Sequence, residues 1–158
     1  MVEQGMSDIR IDKEGTWYHR GAEMFRKDIV SLFYRHLTKD PEGRYLIALD
    51  KERCYVDVED TPFVIKSLDA QFSEKEGGEI ISLLMPDESR ETLDPTTLRI
   101  GKDNTLYCTI KSGFEARFNR SSYYQIAKYF EHDRDTDLYY LVLNGQRYSL
   151  VERDSTGR

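Results

Sequence analysis

Cysteine is scarce in this chain: two in 158 residues, Cys54 and Cys108, neither in a C-x-x-C pair. The start, "MVEQGMSDIR", shows no basic region followed by an apolar one, so no secretory signal is read there. Two free thiols packed as small hydrophobes in a reducing cytoplasm are expected. Histidine is sparse too, at His19, His36 and His132, none placed four residues from another or beside a cysteine. Zinc spacings and H-E-x-x-H are missing, as are G-x-x-x-x-G-K-[ST], a helix-opening G-x-G-x-x-G, and G-x-S-x-G. No catalytic set, metal site or cofactor is therefore expected. The longest apolar runs are a handful of residues, as in "YYLVL", so no membrane insertion is expected. Basic residues are the minority, with a net charge of −6, which argues against nucleic acid as a partner.

What is present is a globular composition, 39% hydrophobic and 33% charged, long enough to bury roughly 70% of the unfolded surface. It also carries an internal echo. "IRIDKEGTWY" (9–18) is followed eighty-nine positions later by "LRIGKDNTLY" (98–107). After the first comes a helical pattern with Phe25, Ile29, Val30, Phe33 and Leu37 on one face, ending at "KDPEG". After the second comes another, with Phe118, Tyr123, Ile126, Ala127 and Phe130, ending in "EHDRDTD". Each helix then leads to two β-prone runs around a turn, "RYLIALDKERCYVDVE" and "YYLVLNGQRYSLVE"; Asn-Gly between apolar runs is a strong hairpin signal. Glu14-Gly15 and Asp103-Asn104 hold matching turn positions that tolerate positive φ. The reading is an α+β fold of two subdomains, 1–60 and 61–158, related by a duplicated ββαββ motif. The alternative is independent recurrence of hairpin and helix. Between the copies, "FVIKSLDAQF" and "EIISLLMP" read as strands around "SEKEGG", extending the second copy's sheet toward a small curved barrel. Thr92 to Thr97 reads as a Pro-containing connector, and the final "DSTGR" as disordered.

Charge is segregated along the chain. Residues 50–94 hold thirteen acidic residues against five basic ones, a net of −8, and residues 98–130 carry a net of +4. Within that basic block lies "EARFNRSSYY" (115–124). Asn119 suits an N-cap, leaving free amides at the helix start; Arg117 and Arg120 flank it, and Ser121 and Ser122 add hydroxyls. Amides and guanidinium groups together suit an anion. The alternative is that Arg117 and Arg120 form internal ion pairs with Glu59, Asp60 or Glu115. Other signals are weaker. His36 falls late in the first helix, where a cation suits the dipole, and His19 sits near Trp17 at the end of the first hairpin. "DRDTD" has the spacing of a calcium loop but places Leu138 where glycine is needed and Asn144 where a bidentate carboxylate is needed.

"IDKEGTWYHRG", "VEDTPF", "EARFNRSSYYQI" and "LNGQRYSL" together resemble a bacterial family known as domain of unknown function 1285, over almost the whole chain. The resemblance implies two subdomains with repeated motifs, the C-terminal half being a pleckstrin-homology-like curved sheet or small barrel with a helix. It implies a ligand site in the inter-subdomain cleft, with Glu59, Asp60, Pro62 and Phe63 on one wall and Arg117 and Arg120 opposite; Trp17, His19, Asn119 and Ser121 join the candidate set. The expected function is a non-enzymatic cytoplasmic binding protein for a small anionic, nucleotide-like ligand, with a role in signal transduction. A protein-interaction scaffold using the pleckstrin-homology-like half is the second expectation, and an enzyme the third.

Overall fold

The structure, a computed structural model, describes residues 8–110 and 113–152. The final "DSTGR", expected to be disordered, lies outside them. The chain divides into two compact units, residues 1–62 with 86–88 and residues 63–85 with 89–158. Strands dominate and two α-helices accompany them, so the class is α+β.

In the first unit β1 (Ile9–Ile11), β2 (Trp17–His19) and β3 (Ala22–Glu23) run as a meander. Asp12 makes the β1–β2 turn: its carboxylate accepts the amides of Glu14 and Thr16 at 3.0 and 2.9 Å, a side-chain substitute for backbone turn bonds. Helix α1 (Lys27–Arg35) follows, then β4 (Leu37–Lys39), β5 (Tyr45–Leu49) and β6 (Glu52–Val58). Strand β6 serves two neighbours: residues 52–55 pair antiparallel with β5, and residues 56–58 pair parallel with β1. The sheet order is β3-β2-β1-β6-β5-β4. Alternation buries Ile9 and Ile11 on β1; Trp17, Leu46, Ile47 and Val56 are buried as well, and Trp17 meets the helix through Phe33 and Tyr34, with ring centroids 5.9 and 5.0 Å away.

The second unit opens with β7 (Phe63–Ile65), β8 (Ser67–Ser73), β9 (Gly78–Leu84) and β10 (Arg90–Thr92). It then repeats the first unit. Strands β11 (Arg99–Ile100), β12 (Leu106–Thr109) and β13 (Glu115–Phe118) lead to α2 (Arg120–Ala127), β14 (Phe130–Asp133), β15 (Leu138–Leu143), β16 (Gln146–Ser149) and β17 (Val151–Glu152). Only buried Leu150 separates β16, which pairs with β15, from β17, which lies parallel to β11. Read through that break, the order is β13-β12-β11-β17/β16-β15-β14, the order of the first unit. Register agrees as well: Arg10 faces Tyr18 as Arg99 faces Tyr107, and Leu49 faces Glu52 as Leu143 faces Gln146. In both copies the arginine stacks on its cross-strand tyrosine, 4.5 and 4.3 Å from the ring centre. Gly15, Asp103 and Asn104 all take positive φ, as their turn positions require.

Three expectations change. The repeated unit is βββαβββ, because a third strand precedes each helix and a fourth follows it directly. Leu37 and Phe130, read as helix residues, begin β4 and β14; a two-turn helix followed by an alternating strand mimics a longer helical period. Phe25 precedes α1 and is exposed, and Phe118 is a buried strand residue. The expected small barrel does not close among the described residues: β7 extends the second sheet alongside β13, while β8, β9 and β10 form a separate open sheet.

Candidate functional site

The start of α2 is built by its neighbours within the second unit. Alternation along β13 buries Ala116 and Phe118 and leaves Arg117 half-buried on the other face. Asn119 then caps the helix, its side-chain oxygen accepting the Ser122 amide at 2.8 Å, while its own N–H donates to Ile65 O at 3.3 Å. The Ser122 hydroxyl is fully buried and donates to the same carbonyl at 2.8 Å. One turn on, Gln125 accepts the Leu68 amide at 2.7 Å. These bonds fix the helix against β7 and β8 and leave the first-turn amides of Arg120 and Ser121 without intrahelical acceptors.

Beside this helix start lies a depression of about 280 Å³. Arg117, Phe118, Asn119 and Arg120 line it together with Tyr123 and Tyr124 of α2, Asn104 and Thr105 of the β11–β12 turn, and Leu106 of β12. The two tyrosine rings stand 6.1 Å apart at 72°, and Tyr124 is 62% exposed. Arg120 is exposed and has no ion-pair partner among the described residues. Glu115, a candidate partner for these arginines, is held by Arg99 at 2.6 Å.

The remaining candidates do not line this depression. Ser121 is exposed beside the depression without lining it. Phe63 is core, 8% exposed, its ring 5.5 Å from Phe114. Trp17 is core of the first unit at 2% exposure. Phe63 was expected on a ligand wall and Trp17 in the wider candidate set; a large aromatic ring on a β-strand is drawn inward by the area it buries. His19 is exposed at the end of β2, and Glu59 pairs with Arg10 at 3.7 Å inside the first unit. Asp60 is exposed in the same unit. Asn104, Thr105, Tyr123 and Tyr124 escaped the sequence reading as site residues. The Tyr-Tyr pair inside "NRSSYY" was the available signal, but Tyr123 was read on the apolar face of the helix.

The first copy supplies an internal comparison. Glu23 faces Tyr18 as Arg117 faces Tyr107, so an acid occupies the place of Arg117. Arg26, at the start of α1, offers no side-chain cap and binds Asp28 through two bonds of 3.2 and 2.7 Å. That guanidinium holds the Asp28 carboxyl below the usual carboxylate range. The same strand–helix arrangement thus carries an uncapped start with Arg26 bound to Asp28 in one copy and a start capped by Asn119 beside exposed Arg120 in the other.

Other titratable groups are occupied structurally. Burial pushes the thiols of Cys54 and Cys108 up, so both stay protonated at neutral pH. His132 contacts Asp137 at 2.8 Å in the exposed β14–β15 hairpin, where Asp133 accepts the Asp135 amide. Among the described residues no three His, Cys, Asp or Glu side chains converge as a metal site, and no helix is long and apolar enough to cross a membrane.

Comparison with known proteins accounts for this architecture. Residues 2–61 match DUF1285_N, described as the N-terminal domain of "Domain of unknown function (DUF1285)". Residues 2–61 belong to that DUF1285 domain family. The fold is similar to two solved DUF1285 structures over most of the chain. One, from Silicibacter pomeroyi DSS-3, has a TM-score of 0.75 and 23% identity, covering 91% of this chain and 79% of that one. The other, from Shewanella baltica OS155, has a TM-score of 0.63 and 19% identity, covering 77% and 91%. No curated protein matches the chain.

Proposed function

We propose that this DUF1285-like chain is a binding protein whose second unit holds a small anionic ligand at the start of α2. The observation that carries the reading is the contrast between the copies. In the first unit Arg26 at the helix start is bound by Asp28, whereas in the second Arg120 stands exposed at the helix start beside a depression that Arg117 and Asn119 also line. Two guanidinium groups with the first-turn amides suit phosphate oxygens. Tyr123 and Tyr124 line the same depression, and aromatic rings there favour a planar base and hence a nucleotide-like ligand. On this reading the chain acts as a cytoplasmic regulatory protein whose output is ligand occupancy.

The test is a thermal-shift panel of inorganic phosphate and mononucleotides on the full chain and on Arg117→Ala/Arg120→Ala. A mononucleotide should raise the melting temperature more than phosphate does, and the double variant should lose that rise while melting, unliganded, near the parent. Two guanidinium contacts at roughly 1.5–3 kcal/mol each are large enough to abolish it. A double variant that melts far lower without ligand would assign both arginines to the fold and remove the site.

A further inference from the structure

In the second unit β7 lies parallel along the outer edge of β13, with Phe63, Val64 and Ile65 opposite Ala116, Arg117 and Phe118. The ladder continues into the helix cap, where the Asn119 amide donates to Ile65 O. The first unit has the same edge at β3, and among the described residues no strand pairs with its outer side. Ala22 and Glu23 are both exposed, and Phe25, in the place of Asn119, is 78% exposed. The Met24 amide points inward to Trp17 O at 2.9 Å. Alternation therefore turns the peptide groups of Glu23 and the N–H of Phe25 outward.

An unpaired strand edge templates a further extended segment, and in this chain the sister copy displays the segment that the edge accepts. We propose that the outer edge of β3 binds an extended partner peptide, in parallel register, with an apolar–basic–apolar pattern. The outer two positions follow from β7, where Phe63 and Ile65 are buried against the edge residues Ala116 and Phe118. Their counterparts, Ala22 and half-buried Met24, present the same face. The middle position follows from charge: it lies across from exposed Glu23, where a lysine or arginine forms a favourable cross-strand pair. Phe25 then covers the peptide beyond its last apolar residue.

The experiment titrates the ¹⁵N-labelled full chain with two capped peptides, Ser-Phe-Lys-Ile-Ser and Ser-Phe-Glu-Ile-Ser. The lysine peptide should shift the amide signals of Glu23 and Phe25 saturably and slow their hydrogen exchange. Glu23→Lys should weaken the lysine peptide about fivefold and strengthen the glutamate peptide by a similar factor; Glu23→Gln should bind both alike. Position 23 is exposed, so these variants keep the fold, and unchanged signals elsewhere verify that. Protection at other residues, or affinities that ignore the charge exchange, would overturn the proposal. Concentration-dependent protection of Glu23 and Phe25 without peptide would assign the edge to a second copy of the chain and overturn it too.

Discussion

Arg26 and Arg120 both stand at the start of a helix in the two copies of one fold, yet only Arg26 has an acid two residues on that binds it, at 2.7 Å. Asn119 then determines whether Arg120 is held at a defined helix start. Replacing Asn119 with alanine removes the cap on Ser122 and should cost about 1 kcal/mol in denaturant unfolding; a change within error would show the cap to be dispensable. Asp40 makes a second residue-scale case, binding the Arg44 guanidinium at 2.7 Å and the Tyr55 hydroxyl at 3.0 Å. Its burial pushes the carboxyl up, but the amides of Arg44 and Glu42 and those two side chains together bring it below the ordinary range. A carboxyl lowered in the folded state stabilises fully above the ordinary aspartate value and loses that contribution as pH falls through the lowered one. The melting-temperature gap between the parent and Asp40→Asn should therefore be widest near neutrality and narrow below about pH 4. A gap independent of pH would contradict this account of Asp40.

At the scale of elements, turns were more legible than helix ends. Asn144-Gly145 announced its hairpin, and both residues take positive φ there, 52° and 75°. What the dipeptide did not announce is the second use of Asn144, whose side chain accepts the Glu79 amide at 2.9 Å and donates to the Glu79 carbonyl at 2.8 Å. This clamp ties the β15–β16 turn to β9, and Gly78 makes room for it, since a Cβ there would lie 2.7 Å from the Asn144 oxygen. Asn144→Gly, which preserves the turn and deletes the clamp, should cost about 1 kcal/mol, and Gly78→Ala should cost at least as much. If Gly78→Ala unfolds at the parent's denaturant midpoint, the clamp adds nothing. The helix ends were misread for a physical reason. Leu37 and Phe130 keep a helical phase with the residues before them, but each pairs across to an apolar strand residue, Ile47 and Leu141. A long-range ladder prevails over a local period, and single-chain periodicity cannot register the ladder.

On the scale of the whole molecule, the echo between residues 9–18 and 98–107 marked a real repeat of strand order and register, although the sequence showed only four of its six strands. Strands of two or three residues, such as β3 and β4, are too short to alternate visibly. The basic part of the candidate site was legible because Arg117, Asn119 and Arg120 are neighbours in sequence. The rest was not, because Asn104 and Thr105 are brought there by the β11–β12 turn. Duplication also supplies the most direct test of the central claim, since α1 is a control for α2 within one molecule. Titrating the ¹⁵N-labelled full chain with ADP should move the amide signals of Arg120, Ser121 and Tyr123 and leave those of Lys27, Asp28 and Val30 in place. Equal movement at both helix starts, or none at the second, would contradict an anion site built into α2.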